Sequence, residues 1–313
     1  MRFPVQLTVL GLALALDLLL GDPPNLFHPV AWMGKVIGWG ERAAPAAGPW
    51  PRFAYGAALA LAGATVCTLP VVLLLIGARQ LGLFVYVVVA ALLLKSTFTF
   101  SGLVRAARSV QQALLAGDLA GARRLAAYHL VSRDTSALSE ELVAAAAVES
   151  VAENVTDGVI APLLFFLLAG VPGAWAYRFF NTCDSMLGYR DPEHEYLGKF
   201  AARLDDVLNW LPARLTGLLM VLAAWLAGED GAGAWRAMWA QHARTASPNA
   251  GWTMSGMAGA LNVTLEKVDQ YRLEGGTERL SAAVIQRAAR VAGATVALFV
   301  LLLAAALGAV ANV

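Results

Sequence analysis

Three acids set four residues apart, Glu149, Glu153 and Asp157 in the stretch ESVAENVTDG, are the first candidates for chemistry in this 313-residue chain. At 3.6 residues per turn they share one helix face. Like charges at that spacing repel. An arginine relieves the repulsion, and so does a bound Mg²⁺, which prefers carboxylate oxygen. A solvated helix face is the alternative reading of the same spacing. Asn154 sits within the row, and Asp157-Gly158 predicts the end of the helix.

A second constellation follows. In VPGAWAYRFFNTCDSMLGYR, Pro172-Gly173 predicts a helix start and Gly188 a stop. Tyr177, Asn181 and Asp184 fall on one face between them, with Arg178 alongside and Tyr189-Arg190 at the end. In FAARLDDVLNWLPARLTG, Arg203 and Asp206 are three apart, and Pro212 and Arg214 open the next apolar run. Asp205 and Asn209 are four apart. Carboxylates that can hold a metal, mixed with arginine forks that grip phosphate oxygens, suit a phosphorylated ligand with Mg²⁺. No P-loop, GxGxxG, HExxH or GxSxG elbow is present, so the common nucleotide and hydrolase motifs do not carry this chemistry.

The elements that position these residues belong to a membrane protein. The chain is 58% hydrophobic and only 14% charged, and acids or arginines in such a sequence are functional candidates. The fold class read from it is all-α: a polytopic membrane protein, residues 1–313 forming one membrane domain, with short or re-entrant helices and polar helical loops. A net charge of +1 offers no basic field for nucleic acid. Cys67 and Cys183 have no CxxC or histidine neighbours, which argues against zinc and disulfides.

In chain order, residues 3–20 are an apolar run carrying Asp17, either a functional intramembrane acid or one snorkelling to the interface. GDPP then stops the helix. His28-Pro29-Val30 forms a rigid turn, and Trp32, Trp39 and Trp50 read as interface anchors. Residues 54–76 and 81–94 predict a transmembrane hairpin. Residues 101–157 read as an amphipathic helical cytoplasmic segment, with Ser136 and Ser139 as N-cap candidates and Arg123, Arg124 and Arg133 as phosphate ligands or a solvated face. The runs 159–170 and 213–227 are short of the roughly 20 residues a span needs, so both are expected to be re-entrant or buried. Gly251, Ser255 and Gly259 form a small-residue stripe for close helix or ligand approach, and residues 293–310 are a final span. Lysine and arginine concentrate in the segments 21–53, 101–157, 171–212 and 229–292, which the positive-inside rule would place on the cytoplasmic side of the cell inner membrane if 54–100 is a hairpin and the two short runs do not cross; if they cross, the basic segments split between the two sides.

Taken in order, DLLLGDPP…HPV, ESVAEN…DG…AP, PGAWAYRFFNT.DSM.GYR, FAARLDD..N..PARLT and SPNAG form a specific combination. It resembles the CobD/CbiB family, the adenosylcobinamide-phosphate synthases of cobalamin biosynthesis, from Asp17 to about Leu261. The match weakens beyond that point, where LNVTLEK and Glu274-Gly275-Gly276 replace the expected glycine-rich turn.

The resemblance implies a ligase that joins adenosylcobyric acid to aminopropanol or its phosphate through an amide, with ATP activating the carboxylate and Mg²⁺ as cofactor. It implies Glu153, Asp184 and Asp206 as catalytic acids or bases and Glu149, Glu153, Asp157 and Asp205 around the metal. His28, Asn154, Arg178, Asn181, Tyr189, Arg190, Arg203, Arg214 and Asn249 would contact substrate. The bilayer is the expected partner, and a homo-oligomer is compatible with this reading. A transporter would be expected to show repeated halves, and none is found. A non-catalytic sensor of the same fold should have lost the acid and arginine set, which is intact. A lipid headgroup transferase would carry DxxDGxxAR, which is absent.

Overall fold

The computed structural model describes residues 3–46, 48–131 and 134–311. The chain is helical almost throughout: α1 (Phe3–Leu19), α2 (Pro29–Arg42), α3 (Pro49–Gln80), α4 (Leu83–Lys95), α5 (Phe100–Leu115), α6 (Leu119–His129) and α7 (Glu140–Val155). A π-helical turn, Thr156–Ile160, leads into α8 (Ala161–Leu187), α9 (Lys199–Leu208), α10 (Trp210–Leu226), α11 (Gly231–Gln241) and α12 (Ala250–Leu261). A two-stranded antiparallel hairpin, β1 (Thr264–Lys267) and β2 (Tyr271–Glu274), precedes α13 (Ala282–Ala311). The hairpin occupies the region where the expected glycine-rich turn is missing.

Four helical stretches among the described residues are long and apolar enough to cross a membrane: Pro49–Gln80, Leu83–Leu115, Glu140–Leu187 and Ala282–Ala309. The first two are the anticipated hairpin, turned at Gly82. The run 159–170 is largely buried, one of the two outcomes expected for it, but it is not a separate short helix: it is the middle of Glu140–Leu187. The sequence signal was an apparent stop at Asp157-Gly158. The backbone instead absorbs these residues in the π turn and carries on. The run 213–227 falls in α10, which meets α9 at a 46° bend, the geometry of a broken span or a re-entrant loop.

α8 does break, at Ala169–Gly170. Pro172 has no N–H to donate and its ring clashes with the carbonyl four residues back, so the helix must reopen there. Gly170 takes a φ of 67°, which a side chain disfavours.

The chain divides into two compact units. The first comprises residues 1–99, 161–208 and the end of α13 from Leu303. Within it α1 packs on α4, while α8 packs on α2, α3 and α9. The second comprises Phe100–Ile160 and Asn209–Leu302. Here α12 is the centre, buried along its whole length and packed against α7, α10 and α11. The small-residue stripe accounts for that packing: a Cβ on Gly259 would lie 2.3 Å from the Gly233 carbonyl oxygen of α11. The neighbour that fills the stripe is thus a helix.

The segment 101–157 holds two kinds of helix. α5 buries only one face, Leu103, Ala107, Val110 and Leu114. α7 is buried from Val143 to Ala152 on all sides, as a helix inside a large core must be. Ser139 caps α7, accepting from the Leu142 N–H at 3.3 Å, whereas Ser136 is not a cap and its hydroxyl donates to Asp134.

Candidate functional site

Each unit carries its own constellation. In the second unit, α7 and the π turn supply the acid row. Glu149 is buried, while Glu153 and Asp157 are half-buried. Asn154 is tied back to its own helix: its amide donates to the Ser150 carbonyl at 2.9 Å and hydroxyl at 3.2 Å. α10 packs on the π turn and α12 on α7, which brings the beginnings of α10 and α12 into the same bundle.

There Arg214 lies over two indoles, its guanidinium carbon 4.4 Å from the Trp210 ring centre and 4.9 Å from that of Trp252. It donates to the Trp210 carbonyl at 2.7 Å and to Asn249 Oδ1 at 3.3 Å. Among the described residues, no carboxylate lies within ion-pair distance of it. Trp252 is stacked on His242, with ring centres 4.2 Å apart, and Trp239 meets it edge-on. Its indole N–H is buried and donates to nothing among the described residues, a costly state for a donor. Two rings and an amide thus fix an arginine fork without neutralising it, an arrangement suited to a phosphate or carboxylate. The sequence pointed to Arg214 and Asn249, but not to the tryptophans that orient them.

In the first unit, Arg178 Nη1 donates to Asn181 Oδ1 at 3.2 Å, and Asn181 Nδ2 donates to the buried carboxylate of Asp205 at 3.3 Å. An arginine, an amide and an acid on α8 and α9 are thereby joined in one chain. Asp184 is half-buried on the same helix, with Gly188 closing against it: the Gly188 N–H donates to the Asp184 carbonyl at 2.7 Å. Asp206 faces Arg203 at 3.8 Å, but the Arg203 side chain is 74% exposed, so the pair contributes little to stability. Tyr189 and Arg190 are exposed in the loop after α8, the Tyr189 ring edge-on to His194.

His28 has a local task. It caps α2, with Nδ1 accepting from the Val30 N–H at 3.2 Å, which leaves Nε2 directed to Asp22 at 3.8 Å. That contact opens onto a cluster in which Asp17 and His28 stand out from the sequence but Lys95 and Asp22 do not. Lys95 Nζ meets Asp17 at 3.0 Å, Asp22 at 2.6 Å and the Phe98 carbonyl at 3.2 Å, and Thr99 donates to Asp22 at 2.5 Å. The three donors of one ammonium find three acceptors. Asp17 is 1% exposed, so it does not snorkel to the interface. Burial works against ionisation of Asp22, yet His28, Lys95 and Thr99 together hold its carboxyl well below the usual range. The available signal was three charges in or beside apolar runs.

Among the described residues, no three His, Cys, Asp or Glu side chains are grouped to hold a metal ion by themselves. Of the acids expected around the metal, Glu149, Glu153 and Asp157 belong to the second unit and Asp205 to the first. Arg123 donates to the Leu138 carbonyl at 2.7 Å, a loop-tying role, while Arg124 is exposed and Arg133 lies outside the described residues.

Long apolar helices interrupted by buried polar constellations define a multi-pass membrane protein. The sequence model described as CobD/Cbib protein matches residues 10–292, and the chain belongs to this cobalamin-biosynthesis family. It is 50% identical over 267 residues to the cobalamin biosynthesis protein CobD of Dehalococcoides mccartyi, covering 85% of this chain and 86% of that one. It is 40% identical over 296 residues to the probable cobalamin biosynthesis protein CobD of Methanothermobacter thermautotrophicus, covering 95% and 96%. The CobD protein of Brucella suis is also 40% identical, over 286 residues, covering 86% and 84%. No solved structure gives a significant match.

Proposed function

We propose that this protein acts in cobalamin biosynthesis as an ATP-dependent ligase that joins adenosylcobyric acid to aminopropanol phosphate, or to the free amino alcohol. The observation that carries the reading is Arg214: a half-buried guanidinium held by two indoles and an amide, with no carboxylate at ion-pair distance among the described residues. Such an arginine is preorganised for a phosphate oxygen, and its helix bundle also carries the acid row.

A carboxylate is a poor electrophile. Transfer of the ATP γ-phosphoryl to it gives an acyl phosphate and ADP. The amine then attacks the carbonyl carbon, the new C–N bond forms, the C–O bond to phosphate breaks, and inorganic phosphate leaves. Arg214 would hold phosphate oxygens, oriented by Asn249, and Arg178 would act likewise beside Asn181. Asp184 and Asp206, both half-buried, are the acids assigned to the proton of the incoming ammonium, and Glu153 is the third acid in this assignment. The row Glu149, Glu153 and Asp157 fits Mg²⁺ arriving with its nucleotide, because that ion is commonly held by one or two carboxylates plus substrate phosphates rather than by a full protein cage. The ion would offset phosphate charge. His28, Tyr189, Arg190 and Arg203 are assigned to the substrates. The polar segments are assigned to the cytoplasmic side of the inner membrane, where ATP is found.

The test is incubation of the detergent-solubilised protein with adenosylcobyric acid, aminopropanol phosphate, ATP and Mg²⁺, with the amide detected by mass. Product should require all four. Glu153→Gln and Asp184→Asn should each lower turnover by at least about tenfold. Losses below that in both would sink the residue assignment, and corrinoid binding without product would sink the ligase reading.

A further inference from the structure

The second unit holds a cavity of about 560 Å³ that none of these residues lines. It lies between α5 and the first turns of α13, and its two ends differ. At one end the ring of Phe100 meets Gly293, where a side chain would come within 3.6 Å of it, and Val104 and Ala289 continue the apolar floor. Toward the other end stand Arg108, Gln111 and Gln112 from α5 with Ile285 and Gln286 from α13, while Arg290 stands beside Ala289, one turn before Gly293. Among the described residues, no acid lines the cavity. Glu229 touches Arg290 from outside at 3.5 Å, but its carboxylate is taken up by Arg287, whose Nη2 lies 2.6 Å away and whose Nε is 3.0 Å from the other oxygen.

The position along α13 is decisive. Arg290 is the last charged residue of the chain, and everything after it on this membrane-length helix is uncharged. The cavity therefore sits at the step from charged to apolar sequence, its arginines on the polar side and Phe100 and Gly293 on the apolar side. A ligand that satisfies both ends has a phosphate among cations and amide donors and a hydrocarbon beside it. The size suits one headgroup with its first chain atoms.

We propose that this cleft binds the headgroup of an anionic phospholipid, with Arg108 and Arg290 on the phosphate and the glutamines on the ester and hydroxyl oxygens. The two arginines are exposed, so their removal leaves the core intact.

Native mass spectrometry of the full chain in detergent, with equal phosphatidylglycerol and phosphatidylcholine of identical acyl chains, is the test. The anionic lipid should be retained over the zwitterionic one by about tenfold. The double variant Arg108→Gln/Arg290→Gln should bring the two lipids to parity with an unchanged unfolding temperature, while Arg124→Gln/Arg236→Gln, the same charge change outside the cleft, should keep the preference. Equal retention by the unmodified protein, or a preference that survives in the cleft variant, would overturn the proposal. Displacement of the lipid by equimolar glycerol 3-phosphate would mark a soluble phosphate site and overturn it as well.

Discussion

The cluster around Lys95 in the first unit and the cage around Arg214 in the second both place a cation among apolar helices, and they handle it in opposite ways. Lys95 is 6% exposed and surrounded by acceptors: two carboxylates and a carbonyl use all three of its donors. Arg214 is half-buried and surrounded by rings and neutral oxygens, with no acid at ion-pair distance among the described residues. Charge matched from within holds helices together. Charge fixed in place but not matched remains available to an anionic ligand. Burial of an ionisable side chain thus does not by itself separate structure from function; the identity of its partners does.

The contrast predicts different failures. Lys95→Met should leave Asp17 buried beside an apolar chain and cost about 3–5 kcal/mol, read as a large fall in unfolding temperature in detergent. Replacing both members, Asp17→Asn with Lys95→Met, should recover much of it. If Lys95→Met unfolds at the temperature of the unmodified protein, the cluster is not structural and the comparison fails.

Arg214→Ala should behave in reverse. Its unfolding temperature should change little, while turnover in the four-component assay falls about 100-fold, as when a preorganised donor to a developing anion is lost. Arg214→Lys should recover little of it, because an ammonium neither stacks on an indole as a planar guanidinium can nor presents a fork. Turnover within tenfold of the unmodified protein in the lysine variant would mean that the cage supplies only charge, and the distinction between the two clusters would be one of degree.

The sequence made the helical, membrane-embedded class legible because uncharged runs of that length have few other uses, and it made the close packing along Gly251, Ser255 and Gly259 legible because small residues at that spacing serve little else. Arg214 and Asn249, 35 residues apart, could be proposed as ligand contacts through family likeness, but their mutual contact and the indoles around them are tertiary facts with no local signature. The helix stop read at Asp157-Gly158 shows the limit of local rules: glycine lowers helix propensity, yet a π turn inside packed helices keeps the backbone bonded, since little else is available to bond it there. His28 shows the converse, because the same Pro29 that made its turn look rigid makes it a helix cap.

The smallest expected effect extends the comparison to a third charged group, outside the spans. His194 bridges Asp191 at 2.8 Å and Glu41 at 3.0 Å in the first unit, in the loop between α8 and α9. Burial opposes charging of the ring, but hydrogen bonds to Glu41 and Asp191 outweigh it and raise its pKa above the ordinary histidine value. The group therefore takes up its proton more readily folded than unfolded. Its stabilisation is fully present below the unfolded value of about 6.5 and is lost as pH rises through the higher folded value. Like Lys95 it is matched by acids from within, but unlike Lys95 it faces water, where such contacts are weak. The unfolding temperature should thus fall by only about 1–2 °C between roughly pH 6 and pH 8 through this group, and His194→Gln should flatten that part of the slope. A slope unchanged in His194→Gln would show that the bridge holds nothing. A slope rivalling the Lys95→Met loss would show that internal matching matters as much in the loop as among the helices, which the difference in burial argues against.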